Sequence, residues 1–411
     1  MSKLDEMIRE LCPDGVEYVK LGTLCSLITK QTGFDYTNHI KARLLMESTE
    51  NAVPYIQTKF FAGKNFNYQT DYYVPMDIVK QFPKITLDKK CILFSIVGAS
   101  IGNVGLFPGE RKCFLGGAIC VAKVLPQYDV DYIYYCVEAH NVQHQIRRKT
   151  KGAGQATITV EDIREFEIPL PPIEVQREIV RILDNFTDLT EDLTADLTAR
   201  QKQYAFYRNK LLTFGKTEGA RIERIPLGDI GSICMCKRIL KSQTNTVSGV
   251  PFYKIGTFGK EADAYISQET FNEYRSKYNF PKKGDVLISA AGTIGRTVVY
   301  DGKPAYFQDS NIVWIDNDES IVLNSYLRYC YELKPWKASE GGTIPRLYND
   351  NIAKTVIAVP SIEEQKRVVS ILDRFDAICN DLTGGLPAEI EARQKQYEYY
   401  RDKLLTFKER G

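Results

Sequence analysis

The chain is written twice, and that repetition restricts its fold more than any other feature. Ala199–Phe214 reads ARQKQYAFYRNKLLTF and returns as ARQKQYEYYRDKLLTF at Ala392–Phe407, 193 residues on. Upstream, IEVQREIVRILDNF from Ile173 returns as IEEQKRVVSILDRF from Ile362, 189 residues on, so the second copy carries four extra residues between the blocks. Fainter echoes link Leu21-Gly22 to Leu227-Gly228, Val53-Pro54-Tyr55 to Val250-Pro251-Phe252, and Ser100-Ile101-Gly102 to Thr293-Ile294-Gly295. A repeat on this scale means that one supersecondary unit is used twice. The unit is a globular segment followed by a long helix; the helical parts agree and the globular parts diverge.

The helices follow from period. Ile179, Leu183, Phe186, Leu189, Leu193, Leu197, Tyr204, Tyr207 and Leu211 recur at three- and four-residue steps, as do Val368, Leu372, Phe375, Ile378, Leu382, Ile390, Tyr397, Tyr400 and Leu404. Each is the stripe of an amphipathic helix, and two such stripes can bury each other as a coiled coil. Pro171-Pro172 sets the first helix boundary, because proline forbids helix in the residue before it. Gly384-Gly385-Leu386-Pro387 should interrupt the second helix, with Pro387 opening a fresh first turn.

The globular segments read as strands and turns. Val53–Phe61, Cys91–Val97 and Ala118–Val124 are short branched and aromatic runs bounded by Gly and Pro, with counterparts at Val250–Ile255, Val286–Ala290 and Asn311–Ile315. One helix per segment is expected, about Asp131–Arg148 and Asn324–Trp336. The expected class is α+β: two pseudo-repeated globular domains with mainly antiparallel or mixed sheets, separated by two long antiparallel helices forming a coiled coil. The expected boundaries are 1–172 and 215–361 for the domains, with 173–214 and 362–411 for the helices.

Composition narrows the function classes. At 411 residues with 44% hydrophobic and 26% charged side chains, the chain is neither disordered nor a rod throughout. The net charge of +2 lacks the global basic signature of many nucleic-acid binders, and neither globular segment is strongly basic on its own. Met1–Glu10 is charged and Cys91–Val97 is too short to span a bilayer or form a signal core, so a cytoplasmic protein without membrane contact is expected. The ten cysteines are scattered, and the one tight pair, Cys234 and Cys236, lacks CxxC spacing; reduced thiols are expected.

Four pieces together resemble the DNA specificity subunits of type I restriction-modification systems: LCPDGVEYVKLG at Leu11–Gly22, the GDVLIS-x-x-GTIG run at Gly284–Gly295, the PPIEVQ and PSIEEQ sequences that open the helices, and the RQKQYxxYRxKLLTF endings. The resemblance covers essentially the whole chain. It implies two target-recognition domains, each reading half of a split asymmetric site in double-stranded DNA. It also implies two methyltransferase subunits docked on the spacer helices, with restriction and translocase subunits joining them. S-adenosylmethionine, ATP and Mg are then expected on the partner subunits, and no cofactor or metal on this chain.

Independent physics agrees with a bipartite reader. Two unlike domains on a strut select a split site, each supplying its own base contacts. Val175–Leu212 would make a helix of about 57 Å, enough to hold readers one DNA turn, roughly 34 Å, apart. LTED, LTAD and LTAR run in tandem from Leu189 to Arg200. Each four-residue step advances a helix by about 6 Å and shifts its seam as a stutter does. In the resembled family this region sets the length of the unread gap.

Candidate DNA contacts lie on loops and helix ends. Arg147, Arg148, Lys149 and Lys151, followed by Gly152, form the best local basic cluster. They could clamp phosphates, or they could complement a helix dipole before a glycine cap. Gln155 and Thr157 align with the segment containing Arg346, and Tyr348 follows; all four could reach base edges. Ser100 and Asn103, with Thr293 and Arg296, follow a glycine turn that could equally be a plain hairpin. Tyr204, Tyr207 and Arg208, with Tyr397, Tyr400 and Arg401, are candidates for a partner surface, with coil packing as the alternative. His140 and His144 could share a metal, but no third ligand accompanies them, and His140 is expected on the apolar face of Ile133 and Val137.

Catalytic motifs are missing from the sequence. Gly215-Lys216-Thr217 lacks the earlier glycine of a phosphate-binding loop, since Lys210 stands there. No Asn/Asp-Pro-Pro-aromatic tetrapeptide occurs, and Pro13-Asp14 with Glu17 and Lys20 misses nuclease spacing by one residue. No catalytic residue is therefore assigned, and chemistry on a flipped adenine is expected from partners. A stand-alone DNA-modifying enzyme and a coiled-coil scaffold without DNA contact remain the competing classes.

Overall fold

A computed structural model describes residues 3–150, 156–214, 222–336, 346–381 and 383–410. The chain divides into two compact units, Met1–Leu193 with Ile390–Gly411, and Thr194–Glu389. Each unit thus takes one globular domain, the start of the helix that follows it, and the end of the other repeat's helix. The first division falls between Leu193 and Thr194, inside the tetrapeptide repeat.

Both units use one plan. In the first, strands Cys25–Lys30, Ile119–Val124, Cys91–Ser95 and Val104–Phe107 lie side by side in that order, every pair antiparallel. In the second, Gly231–Cys234, Ile312–Asn317, Val286–Ser289 and Thr297–Val299 repeat the order and the polarity. Each unit adds a second four-stranded sheet with a parallel pair in it, Ala52–Ile56 beside Cys113–Leu115 and Val250–Tyr253 beside Tyr306–Phe307. The sheets are therefore mixed, and the α+β class with two repeated domains and long helices is what the chain adopts.

The domain cores are completed by helix. Val175, Ile179, Leu183, Tyr397 and Leu405 are buried in the core of the first unit. Tyr204, Leu212, Val368, Leu372 and Cys379 are buried in that of the second. Burying each large apolar side chain contributes about 1.5–3 kcal/mol, so each helical segment is fixed mainly by its domain. Within the second unit the two helical segments run antiparallel: Tyr204 and Tyr207 lie against Phe375, and Arg200, one turn before Tyr204, acts on Cys379, one turn after Phe375.

The first long helix, Ile173–Thr213, is unbroken over 41 residues. Its counterpart is split into Ile362–Asn380 and Leu386–Leu404, where Gly384-Gly385 and Pro387 called for a break. Gly385 donates its N–H to the Asp381 carbonyl. A Cβ there would lie 2.5 Å from the Ala377 carbonyl oxygen, so only glycine fits against the exposed helix end. The glutamines of PPIEVQ and PSIEEQ close the helix starts from inside. Gln176, 2% exposed, donates to the Pro171 carbonyl at 2.8 Å. Gln365, fully buried, donates to the Pro360 and Ile321 carbonyls at 2.9 Å and accepts from the Leu323 N–H.

Four expectations need correction. The strand from Val53 ends at Ile56 and passes into a short 3-10 turn, Thr58–Phe60. The helix expected at Asp131–Arg148 is two helices, Val130–Glu138 and His140–Lys149, because Ala139 is extended and the Asp402 carboxylate accepts the His140 N–H at 3.0 Å, starting a new helix from outside. That break turns His140 out to solvent instead of onto the apolar face; its ring stacks on His144 at 6.3 Å. Finally, each domain has more than one helix: Met76–Gln81 and Gln268–Lys277 were not expected.

Candidate nucleic-acid and partner surfaces

In the first domain the turn after strand Cys91–Ser95 carries Ser100 and Asn103. Ser95 and Ser100 share a hydroxyl hydrogen bond of 2.7 Å, and Ser95 N–H donates to the Asn103 carbonyl at 2.9 Å, which fixes the turn while leaving the Asn103 side chain exposed. Thr157 is brought to the same edge by a bridge to Val97, with Ile158 N–H on the Ile96 carbonyl at 3.1 Å. The helix His140–Lys149 packs there as well, since Gln143 donates to the Gly102 carbonyl at 3.2 Å. Its last turn carries Arg147 and Arg148, both exposed, and Lys149, half-buried. The C-cap is Thr150, whose N–H and hydroxyl both donate to the Ile146 carbonyl; Gly152 lies outside the described residues. Lys20, and more weakly Lys149, hold Glu165 below the usual carboxylate range. Lys151 and Gln155 lie outside the described residues.

The second domain repeats the edge with different chemistry. Thr293 is exposed on the corresponding turn, tied down by the Ser289 hydroxyl, which donates to the Thr293 carbonyl and accepts from the Arg296 N–H. The Arg296 guanidinium is committed inward, donating to the Phe258 carbonyl at 2.8 Å. Leu347 N–H donates to the Ala290 carbonyl at 2.8 Å, which brings Arg346 and Tyr348 to the same strand end. Arg346 donates to the Ser310 carbonyl at 2.7 Å, and its guanidinium lies 6.0 Å from the ring of Tyr348, which is 55% exposed. An open cleft of about 600 Å³ is lined by Arg346 and Tyr348 with Met235, Ser310, Asn349, Asn351 and one carboxylate, Asp350. Ser310 has φ of 59°, a backbone region that non-glycine residues occupy at a cost of order 1–3 kcal/mol. Guanidinium, phenol and carboxamide groups around one cleft can bond to base edges. Sequence reasoning missed Met235 and Ser310, which reach the cleft by a fold-back invisible in local pattern, and Asn349 and Asn351, which adjoin Tyr348 in sequence.

The six partner-surface candidates are engaged within their own units. Tyr204 and Arg208 reach Glu332 at 2.8 and 3.2 Å, and Tyr397 and Arg401 reach Glu138 at 2.6 and 3.8 Å. Tyr207 stacks on Phe375 and Tyr400 on Phe186. The aromatic side chains left outside are their neighbours, Phe206 at 61% exposed and Tyr399 at 62%. Each lies T-shaped against the next ring at 5.3 Å, with interplanar angles of 77° and 76°, and each has a lysine about 6 Å from its centroid, Lys210 and Lys403. A signal existed in the sequence: two residues beyond Tyr204 or Tyr397 is about 200° around a helix, opposite the apolar stripe.

The family model for the type I restriction modification DNA specificity domain matches twice, at residues 13–200 and 221–392. The chain belongs to the type I restriction-modification specificity subunits. A putative type I restriction enzyme specificity subunit from Haemophilus influenzae is 56% identical over 264 residues, 62% of this chain and 68% of that protein. The EcoR124I/EcoR124II specificity subunit of Escherichia coli is 31% identical over 271 residues, and there the match spans 63% of the relative's length and 59% of this chain. Among solved structures, one from a study of type I restriction-modification complex assembly and conformational transition superposes with a TM-score of 0.59 at 18% identity, covering 95% of this chain and 97% of that one. The specificity subunit from M. genitalium gives 0.52 at 16% identity over 95% and 96% of the two chains. Those two share the fold. Among the described residues, no helix is long and apolar enough to cross a membrane, and no three acidic, His or Cys side chains form a metal-binding group.

Proposed function

We propose that this specificity subunit is the DNA-reading, non-catalytic component of its complex, working in the cytoplasm. Residues 1–172 and 215–361 each read one half of a bipartite, asymmetric site in double-stranded DNA. Residues 173–214 and 362–411 act as spacer and as the platform for two methyltransferase subunits, to which restriction and translocase subunits join. S-adenosylmethionine, ATP and Mg belong to those partners. Contacts to bases come from the strand-end edges, with Ser100, Asn103 and Thr157 on one side and Thr293, Arg346 and Tyr348 on the other, while the Arg147–Lys149 turn contacts phosphates of one half-site.

The observation that carries the reading is a contrast. Exposed Phe206 and Tyr399 keep the same setting in both copies, down to the neighbouring ring and lysine, although solvent-facing residues have no packing reason to agree. The edges, by contrast, differ: Thr157 stands against Arg346, and the exposed Asn103 against Arg296, whose guanidinium is turned inward. A surface that repeats suits one kind of partner bound twice, and edges that diverge suit two different half-sites.

The test is to express the chain with its methyltransferase partner and map modified adenines across the host genome. A two-part motif with unlike halves and a constant gap is expected. A contiguous palindromic motif, or modification by this chain alone, would remove the reading.

A further inference from the structure

Each domain has a second basic feature at the end of the sheet away from its reading edge. In the second domain Lys282 and Lys283 precede strand Val286–Ser289, and the hairpin partner of that strand runs on through Tyr300 to Lys303. Gly284 N–H donates to the Tyr300 carbonyl and Tyr300 N–H to the Asp285 carbonyl, both at 2.9 Å, which locks the two turns side by side. Gly302, at φ of 87°, closes the corner: a Cβ there would lie 3.2 Å from the Cβ of Lys283. The result is an open cleft of about 800 Å³ to which Arg275, Lys282, Lys283 and Lys303 contribute charge and Phe280 and Tyr300 contribute aromatic wall, against one lining carboxylate, Asp301. Arg275 is held over the Phe280 ring at 5.3 Å. All three lysines are exposed; Lys282 pairs with Asp316 at 2.8 Å and Lys303 with Asp301 at 3.6 Å.

The first domain has the same device. Lys89 and Lys90 precede strand Cys91–Ser95, and Gly109, at φ of 84°, sits so close that a Cβ would lie 2.6 Å from the Lys90 nitrogen. Arg111 and Lys112 follow on the hairpin, both exposed, and Lys90 pairs with Asp131 at 2.6 Å. Two lysines opposed by a left-handed glycine, with further cations on the hairpin, thus stand in both domains, while the reading edges have diverged.

We propose that this corner grips the phosphodiester backbone of duplex DNA in each domain, without regard to sequence. The inference rests on the DNA-reading function proposed above. In a chain of net charge +2, cations gathered at one place have the more effect on a polyanion. An open cleft edged by lysine point charges suits a run of phosphates, whereas an arginine fork would be wanted for a base edge. What two unlike domains keep in common should serve what two half-sites have in common, and that is the backbone.

The experiment uses the full chain bound to its methyltransferase partners, titrated with salt against a duplex holding the mapped site and against a scrambled duplex. Lys283→Gln with Lys303→Gln, and separately Lys89→Gln with Lys112→Gln, should each flatten the slope of log affinity on log salt by up to about 1.8, at about 0.9 per lost contact. The flattening should be equal on both duplexes, leaving the preference for the site unchanged. The matching arginine variants should keep the wild-type slope. Unchanged slopes in the glutamine variants, a loss confined to the specific duplex, or an equal loss in the arginine variants would each overturn the proposal. The wild-type preference, read in the same titration, tests DNA reading separately: a preference of one would remove sequence reading, and a changed slope would still leave the backbone grip standing.

Discussion

The Tyr397 hydroxyl donates to Glu138 at 2.6 Å, and the Tyr204 hydroxyl does the same to Glu332 at 2.8 Å. In each case the tyrosine belongs to the end of a long helix and the glutamate to the last turn of a domain helix, Val130–Glu138 or Asn324–Glu332. An arginine one helical turn on, Arg401 or Arg208, meets the same carboxylate. The repeated YxxYR sequence is therefore a clamp that fixes helix to domain inside each unit. Burial first, and the neighbouring glutamate second, push both phenols above their ordinary pKa, so they stay donors at any physiological pH.

Tyr397→Phe should destabilise the first unit and Tyr204→Phe the second, each by about 1.5–3 kcal/mol, the usual worth of a hydrogen bond to a charged group. For units of this size that is roughly 5 °C in Tm. Calorimetry on the two variants should show different parts of the unfolding trace moving, with the adenine modification pattern of the assembled complex unchanged. A variant with wild-type unfolding would mean that the glutamate's other partners, Arg401 and Tyr134 or Arg208 and Arg328, hold it without the tyrosine.

The helices were legible because their apolar residues return every three or four positions, and the break at Gly384-Gly385 because glycine and proline act locally. The centre of the stripe was not: Leu189 is exposed, and within the tetrapeptide repeat only Leu193, Leu197 and Thr190 are even half-buried. Period says that a face is apolar and does not say how far a partner covers it. The break at Ala139 was hidden because its cause, Asp402, lies 262 residues from His140. In the candidate sites the glycine turns could be read. Their meeting with Thr157 and with Arg346 could not, since it depends on strand-end hydrogen bonds between residues some sixty positions apart.

Phe206→Ala and Tyr399→Ala remove exposed rings, so the isolated chain should unfold within about 0.5 kcal/mol of wild type. If these rings anchor the methyltransferase subunits, each change should weaken one docking event by about 2 kcal/mol, or roughly thirtyfold, as truncated aromatic anchors do. Titration calorimetry would show one weakened site in each single variant and two in the double variant. Unaltered affinity in the double variant would move docking to another face.

Glu178 predicts an acid-sensitive first unit. Hydrogen bonds from Arg181, and then Lys3 at 3.3 Å, hold its carboxyl below the usual glutamate range against the opposing effect of burial. A carboxylate depressed in the folded state contributes stability above its unfolded pKa, about 4.3, and loses it as pH falls through the lower folded value. Glu178→Gln should therefore lower the Tm at pH 7, and the gap from wild type should narrow steadily below about pH 4. A gap independent of pH would show that Glu178 acts by packing alone.

Deleting Leu193–Asp196 tests the spacer. Thr194, Ala195 and Asp196 are exposed and Leu193 is half-buried, so both domain cores survive the change. The exposed Arg200–Asp196 pair is lost at little cost, as surface pairs usually are. Four residues are close to one turn: the helix shortens by about 6 Å and turns by roughly 40°, so both stripes still face their domains. At 3.4 Å per base pair, 6 Å corresponds to no more than about two base pairs. The modified sites in such a mutant should keep both half-sequences and lose one or two base pairs from the gap. An unchanged gap would place control of spacing in the domains, and altered half-sites would show that the deletion had reached the reading edges.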